Sequence, residues 1–327
     1  KEAQISALER EVNLASEDYK NAQEKYNKSL DIAIASGNSI NQILDGQPAN
    51  EPEPSKRLII TGLSGISTFI LTMLIIILLE YVDVSIQSIS NFKETMDLQL
   101  IGSLNQLDLK KQKLINIFQE QVDKKDKKSE AFRESLRNLR YNIERQNHKS
   151  YLITSLKPGE GKTTVMKAIS LAFSQSNSKI LMIDANFPNN ELSQQFKTSS
   201  TLEKILNPKD GKISITISNS KINKNIDIIS CEGGNYTPLE IFEPKRLGSM
   251  LSSLKERYDY IFMEAACLNL YSDSRELSDF VDGVITVFSA KSSLKEVDRD
   301  SLEFIKSLGD KNAGAILNNL ELENYDT

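Results

Sequence analysis

The sequence predicts an α/β domain, a mostly parallel sheet with helices on both faces, preceded by a transmembrane helix and a helical coiled-coil arm. Three observations predict it. From Tyr151 onward, short apolar runs alternate with stretches of helical period. The decapeptide Ser155-Leu156-Lys157-Pro158-Gly159-Glu160-Gly161-Lys162-Thr163-Thr164 stands between the first such run and the first helix. Leu58 to Leu79 is 22 residues without a charge, and roughly 20 apolar residues cross a bilayer.

In chain order, residues 1–46 form a polar helical arm on the outer side of the membrane. Ile5, Leu8, Val12, Ala15, Tyr19, Ala22, Tyr26 and Leu30 recur at steps of three and four with Glu and Lys between them, as in a coiled coil, and Gly37-Asn38 end the pattern. Because the chain opens on Lys1 in mid-helix, it is expected to be part of something longer. Pro48, Pro52 and Pro54 make residues 47–56 an extended linker, since proline cannot continue a helix. Residues 57–82 hold the membrane span, bracketed by Lys56-Arg57 and Glu80. Small residues Gly62, Ser64, Gly65 and Ser67 offer a helix-packing stripe in its first half.

Residues 83–128 read as a juxtamembrane connector with a small helix and strand before Leu107, the strand at Gln99–Leu104. Lys110, Lys111, Lys113, Lys124, Lys125, Lys127 and Lys128 follow. They place this side in the cytoplasm by the positive-inside rule, and either touch anionic membrane lipid or stay solvated. Residues 129–327 form the cytoplasmic domain. It opens with a helix, Glu130 to Gln146, apolar at Phe132, Leu136, Leu139 and Ile143. Glu134, Arg137 and Arg140 lie three apart on one side of it, a row suited to paired hydrogen bonding with a second subunit, or an ordinary solvated face.

The net charge of −5, with acids and bases mixed, gives no electrostatic case for nucleic acid. Two cysteines without Cys-x-x-Cys spacing exclude a disulfide framework. One histidine excludes a His-rich metal site, so any metal needs oxygen ligands.

Strands are expected at Tyr151–Ser155, Lys179–Ile183, Ile226–Ser230, Tyr260–Met263, Val284–Phe288 and Ala313–Leu317. Helices are expected at Thr163–Gln175, Ser200–Leu206, Leu239–Phe242, Lys245–Tyr258, Ser274–Phe280 and Lys295–Leu308, with a helical turn near Glu191. The decapeptide then has the strand, glycine turn and helix N-terminus of a phosphate-binding loop. Gly159 and Gly161 let backbone N–H groups curl around an anion at the positive end of the new helix. Lys162 would reach the β- and γ-phosphates of ATP, and the Thr163 hydroxyl would ligate Mg²⁺. Lys157, Pro158, Glu160 and Thr164 complete the loop. Asp184 and Glu264 end apolar strands, where ligands of parallel sheets collect. Both are candidate catalytic and metal-binding residues beside Lys162 and Thr163, with Asp184 a candidate general base.

With these motifs in place, the chain resembles the bacterial tyrosine kinases of the polysaccharide co-polymerase family, membrane autokinases that control exopolysaccharide and capsule export. The resemblance rests on the order coiled coil, Pro-rich stretch, membrane span and P-loop domain. It rests also on Pro158 to Thr163, on Ile180-Leu181-Met182-Ile183-Asp184-Ala185, on Tyr258 to Glu264, and on Glu134-x-x-Arg137-x-x-Arg140. It implies ATP and Mg²⁺ as cofactors, a homo-oligomeric ring assembled through Glu134, Arg137 and Arg140, and a place in the bacterial inner membrane. It further implies a polysaccharide polymerase and an outer-membrane export protein as partners, Asn318 of Gly314-Ala315-Ile316-Leu317-Asn318 near the base, and Tyr325 as phosphoacceptor. The chain departs from the family pattern at three places. Glu264 replaces an Asp, Asn186-Phe187-Pro188-Asn189-Asn190 replaces an Asp- and Arg-bearing segment, and Tyr325 alone represents the family's C-terminal tyrosine cluster, which either follows Thr327 or does not exist here. Two further readings stay open: a kinase-inactive ATP-binding assembly subunit of an export machine, and a partition-type ATPase whose signature lysine, here Lys157, reaches a partner's nucleotide.

Overall fold

The computed structural model describes residues 2–37, 55–82, 86, 88–107, 114, 127–196, 201–207, 217–219 and 222–322. The prolines of the linker, most of the lysines of the connector and Tyr325 lie outside the described residues. The chain divides into two compact units, Lys1–Leu74 and Ile75–Thr327.

The first unit is helical. α1 (Glu2–Gly37) exposes Ile5, Leu8, Val12, Tyr19, Tyr26 and Leu30. α2 (Arg57–Val82) begins in this unit and runs into the second. Its stretch Arg57–Leu78 has mean hydropathy 2.1, no buried residue, and the length to cross a bilayer. The Thr61, Thr68 and Thr72 hydroxyls donate to the carbonyls four residues back, at 2.8, 2.8 and 2.6 Å. These three hydroxyls are therefore satisfied within the helix itself.

Among the described residues the second unit is built on eight strands: β1 (Leu100–Asn105), β2 (Ser150–Ser155), β3 (Ile180–Ala185), β4 (Ser218–Asn219), β5 (Ile226–Ile229), β6 (Tyr260–Ala265), β7 (Gly283–Ser289) and β8 (Asn312–Leu320). Their order is β1-β8-β7-β2-β6-β3-β5-β4. Every pairing is parallel except that of β4 with β5.

The central strands are buried along their whole length, which is why they read as unbroken apolar runs. Alternate residues serve opposite faces. Tyr151, Ile153, Ile180 and Met182 pack with α4 (Lys127–Glu144) and α5 (Lys162–Ser174) through Leu136, Leu139, Val165, Ile169 and Phe173. Leu152, Leu181 and Ile183 pack the other way, against Ile205, Leu247, Met250, Leu254 and Leu277. Those residues sit on α7 (Leu202–Leu206), α9 (Pro244–Arg257) and α10 (Asp273–Leu277), while α6 (Glu191–Phe196) and α8 (Pro238–Ile241) are short connecting helices.

The connector contributes more than a tether. Its helix α3 (Ile89–Met96) is capped by Ser88, which accepts from Asn91 N at 3.2 Å. Phe92 meets Phe288 edge-on at 5.2 Å, and Ile86 N donates to Ser292 O at 3.2 Å. β1 then adds to the sheet beside β8, and α4 crosses it so closely that a Cβ on Gly102 would come 2.9 Å from Leu139 Cδ1. Of the expected elements, Lys295–Leu308 divides into a 3₁₀ turn, Glu296–Asp298, and α11 (Arg299–Ser307). Ser274–Phe280 likewise divides into α10 and a 3₁₀ turn. β4 was not among the expected strands.

Candidate functional site: a phosphate loop with strand-end carboxylates

The loop between β2 and α5 is wound by its glycines. Gly159 and Gly161 sit at φ +80° and +95°, the left-handed region that a side chain disfavours. A Cβ on Gly161 would also collide with Asn318 Nδ2, which donates to Glu160 O at 3.0 Å. Glu160, buried itself, accepts from Lys157 N at 3.0 Å. The Ser155 hydroxyl donates to Lys157 O at 2.7 Å and accepts from Lys162 Nζ at 3.2 Å. The loop is thus shaped by its own side chains, and the Lys162 ammonium rests on a neutral hydroxyl inside it. Pro158 and Gly159 are exposed at its tip, and Thr164 is half-buried on the first turn of α5.

The sheet brings the two strand-end acids side by side, Asp184 of β3 in register with Glu264 of β6. Their surroundings differ. Thr163 Oγ1 donates to Glu264 Oε1 at 2.7 Å, while Glu264 Oε2 is buried with no hydrogen-bond partner among the described residues. Burial, then the neighbouring Asp184 charge, pushes the Glu264 carboxyl up to about 7. Asp184 is fully buried but well supplied. Its Oδ1 accepts from Asn186 N at 3.1 Å, and its Oδ2 accepts from Ser193 N at 2.8 Å and Ser193 Oγ at 2.6 Å. Burial nevertheless raises its carboxyl above the usual range.

These residues fit a magnesium nucleotide. The amide cradle and Lys162 suit phosphate oxygens. Thr163 and Glu264 form a hydroxyl–carboxylate pair, and the orphaned Glu264 oxygen lacks the partner that a buried carboxylate needs. Hard oxygen donors in small number suit Mg²⁺, which keeps several of its waters.

Other expected positions have these surroundings. Asn318, expected near the base, secures the loop through the Glu160 carbonyl. The Glu134–Arg137–Arg140 row is divided. Glu134 and Arg137 pair with each other at 3.0 Å in the open, whereas Arg140 turns inward. Its Nη1 donates to Ala172 O at 3.1 Å and Ser176 Oγ at 3.2 Å, closing the carboxyl end of α5. Ser193 and Asp298 belong to the site without having been legible as such, since neither lies in a recognisable motif, and Asn186, noted as a departure from the family pattern, supplies the N–H that Asp184 accepts. Lys167, one turn beyond Thr163 on α5, also borders it, with Nζ on Gln195 Oε1 at 2.8 Å. Burial lowers its pKa, and the charges of Glu191 and Glu264 oppose that.

A family model described as an AAA domain matches residues 149–275. The tyrosine-protein kinase CpsD of Streptococcus agalactiae serotype III (strain NEM316) is 26% identical over 200 residues, covering 60% of this chain and 86% of the relative. The tyrosine-protein kinase YwqD of Bacillus subtilis (strain 168) is 24% identical over 207 residues, covering 62% and 86%. Among solved structures, the chimerical protein CapA2B2 superposes with a TM-score of 0.60 at 21% identity, covering 71% of this chain and 99% of that one. The kinase domain of the Escherichia coli tyrosine kinase ETK gives 0.55 at 22%, covering 70% and 93%. The two structures establish a shared fold.

Proposed function

We propose that this chain, a relative of the bacterial tyrosine-protein kinases, is a membrane-anchored, ATP-dependent tyrosine autokinase of the polysaccharide co-polymerase kind. One observation carries the reading. A glycine-wound loop, a buried lysine and a Thr163–Glu264 pair with one unpartnered carboxylate oxygen converge at the carboxyl ends of β2 and β6.

In this reading the loop amides and Lys162 hold the phosphates of ATP, with Lys162 Nζ exchanging the Ser155 hydroxyl for a phosphate oxygen. Thr163 and Glu264 hold Mg²⁺, with Asp184 alongside. The metal, when bound, neutralises phosphate charge. A tyrosine hydroxyl attacks the γ-phosphorus as its bond to the bridging oxygen breaks and ADP leaves, and Asp184 accepts the hydroxyl proton at Oδ1, the oxygen that receives one hydrogen bond rather than two. Burial raises its pKa, which makes it a stronger base than an exposed carboxylate.

α2 anchors the domain in the inner membrane with its nucleotide site in the cytoplasm. Copies of the chain assemble into a ring and act with a polysaccharide polymerase and an export protein. Tyr325 is the acceptor.

The second reading, an ATP-binding assembly subunit without kinase activity, draws on the replacement of the strand-end Asp by Glu264 and on the uncharged segment Asn186–Asn190. Phosphotyrosine formation on the full chain with Mg·ATP separates the two. The kinase reading expects a signal that Lys162→Met abolishes together with nucleotide binding. Nucleotide binding with no phosphotyrosine leaves the assembly subunit.

A further inference from the structure

Lys157 occupies the position from which partition-type ATPases send a lysine across a dimer. Its side chain is already engaged within its own chain. Lys157 Nζ lies 2.7 Å from Asp298 Oδ2 and donates to Ser293 O at 2.5 Å. Asp298 is completely buried and fixed from two further directions. Lys295 N donates to its Oδ2 at 2.7 Å, and Asn269 Nδ2 donates to its Oδ1 at 2.6 Å. Asn269 is held in turn by Ser301, whose hydroxyl donates to Asn269 Oδ1 at 2.6 Å. The ion pair holds the Asp298 carboxyl below the usual carboxylate range, against the effect of burial.

The backbone of Lys157 is equally committed. Its N–H goes to Glu160 Oε2, and its carbonyl receives the Ser155 hydroxyl that also bears Lys162 Nζ. Asn269 N donates to Leu156 O at 3.1 Å, and Leu268 N to Ser155 O at 2.8 Å. The start of the phosphate loop is therefore fastened to the segment after β6 and to the segment before α11, and Lys157 is the residue where these fastenings meet. Pulling Lys157 away would strand a wholly buried carboxylate, a costly state.

We propose that Asp298 is a positioning residue for the nucleotide site, holding Lys157 in cis so that this lysine orders the phosphate loop of its own chain and serves no second copy. The inference rests on the nucleotide-binding reading above and refines it. It gives the segment between β7 and α11 a part in nucleotide affinity although none of its residues belongs to the loop.

The test uses the full-length chain in detergent or membranes, with N-methylanthraniloyl-ATP and Mg²⁺ as probe. Lys157→Met and Asp298→Asn should each raise Kd at least tenfold at unchanged binding stoichiometry. A merely structural fault would instead lower the stoichiometry and leave Kd alone. The double variant should bind no worse than the weaker single one, because both remove the same contact, and Lys157→Arg should restore most of the affinity. Mixing Lys157→Met with Lys162→Met chains should not recover phosphotyrosine formation. Three results overturn the proposal: wild-type Kd in either folded single variant, additive losses in the double, or recovery of activity in the mixture, which shows a lysine acting across subunits. If Asp298→Asn does not fold, Asp298→Glu and the double variant supply the same comparison. A wild-type chain that binds no nucleotide sinks the reading underneath as well, and is distinct from all three.

Discussion

Gly161→Ala is the sharpest perturbation available to the loop. Gly161 stands at φ +95°, where a Cβ costs an L-residue about 1–2 kcal/mol. The added methyl also lands on Asn318 Nδ2 and 3.4 Å from Asn318 Cγ, forcing that amide off Glu160 O. Leaving the buried partner unsatisfied costs about 1–3 kcal/mol. Together roughly 2–5 kcal/mol is charged to the loop conformation that receives phosphate, and at about 1.4 kcal/mol per factor of ten this weakens nucleotide binding by about 30- to 4,000-fold. The assay is titration of a fluorescent ATP analogue with Mg²⁺, alongside circular dichroism to confirm that the sheet is intact. Gly161→Ala with Asn318→Gly should recover part of the loss, since it removes the collision and leaves the backbone strain. Wild-type affinity in Gly161→Ala would refute the claim that this loop geometry is what binds phosphate.

Other expectations follow from neighbouring contacts. Glu264 is raised from 4.5 to about 7, so the folded chain keeps a proton that the unfolded chain releases, and stability falls as pH rises across that window. Glu264→Gln should flatten that slope and stabilise the nucleotide-free protein above pH 7 by up to about 3 kcal/mol in thermal melts, while abolishing the Mg²⁺ dependence of nucleotide binding. Ser193→Ala removes the hydroxyl that donates to Asp184 and accepts from Cys231 N at 2.8 Å. It should cost about 1–3 kcal/mol in denaturant unfolding. Arg140→Ala should lower the melting temperature, because Arg140 closes the end of α5, whereas the exposed pair Glu134→Ala with Arg137→Ala should change stability by under about 1 kcal/mol. If that exposed pair assembles a ring, native mass spectrometry will show its loss in the double variant at unchanged melting temperature.

Much of the nucleotide domain could be read from the chain because burial on both faces leaves an unmistakable trace. Ile180-Leu181-Met182-Ile183 and Tyr260-Ile261-Phe262-Met263 are apolar throughout, as strands flanked by helices must be. The acids that end them, Asp184 and Glu264, were visible for the same reason: a charge closing an apolar run at a strand end has few other places to be. What escaped was polar and long-range. β4 is the dipeptide Ser218-Asn219, which has no pattern to display. Ser193 and Asp298 serve the site through contacts to Asp184 and Lys157 that only the folded chain brings together. Arg140 shares a helix row with Glu134 and Arg137, yet the open carbonyls at the end of α5 draw it inward, and spacing along one helix says nothing about its neighbour.

Mass spectrometry of the full-length chain after incubation with Mg·ATP tests directly whether the proposed nucleotide site passes phosphate to tyrosine. Phosphate should appear on tyrosine in the wild type, with Tyr325 the first residue to inspect, and should be absent from Lys162→Met. Stoichiometric nucleotide binding without a modified tyrosine would contradict it.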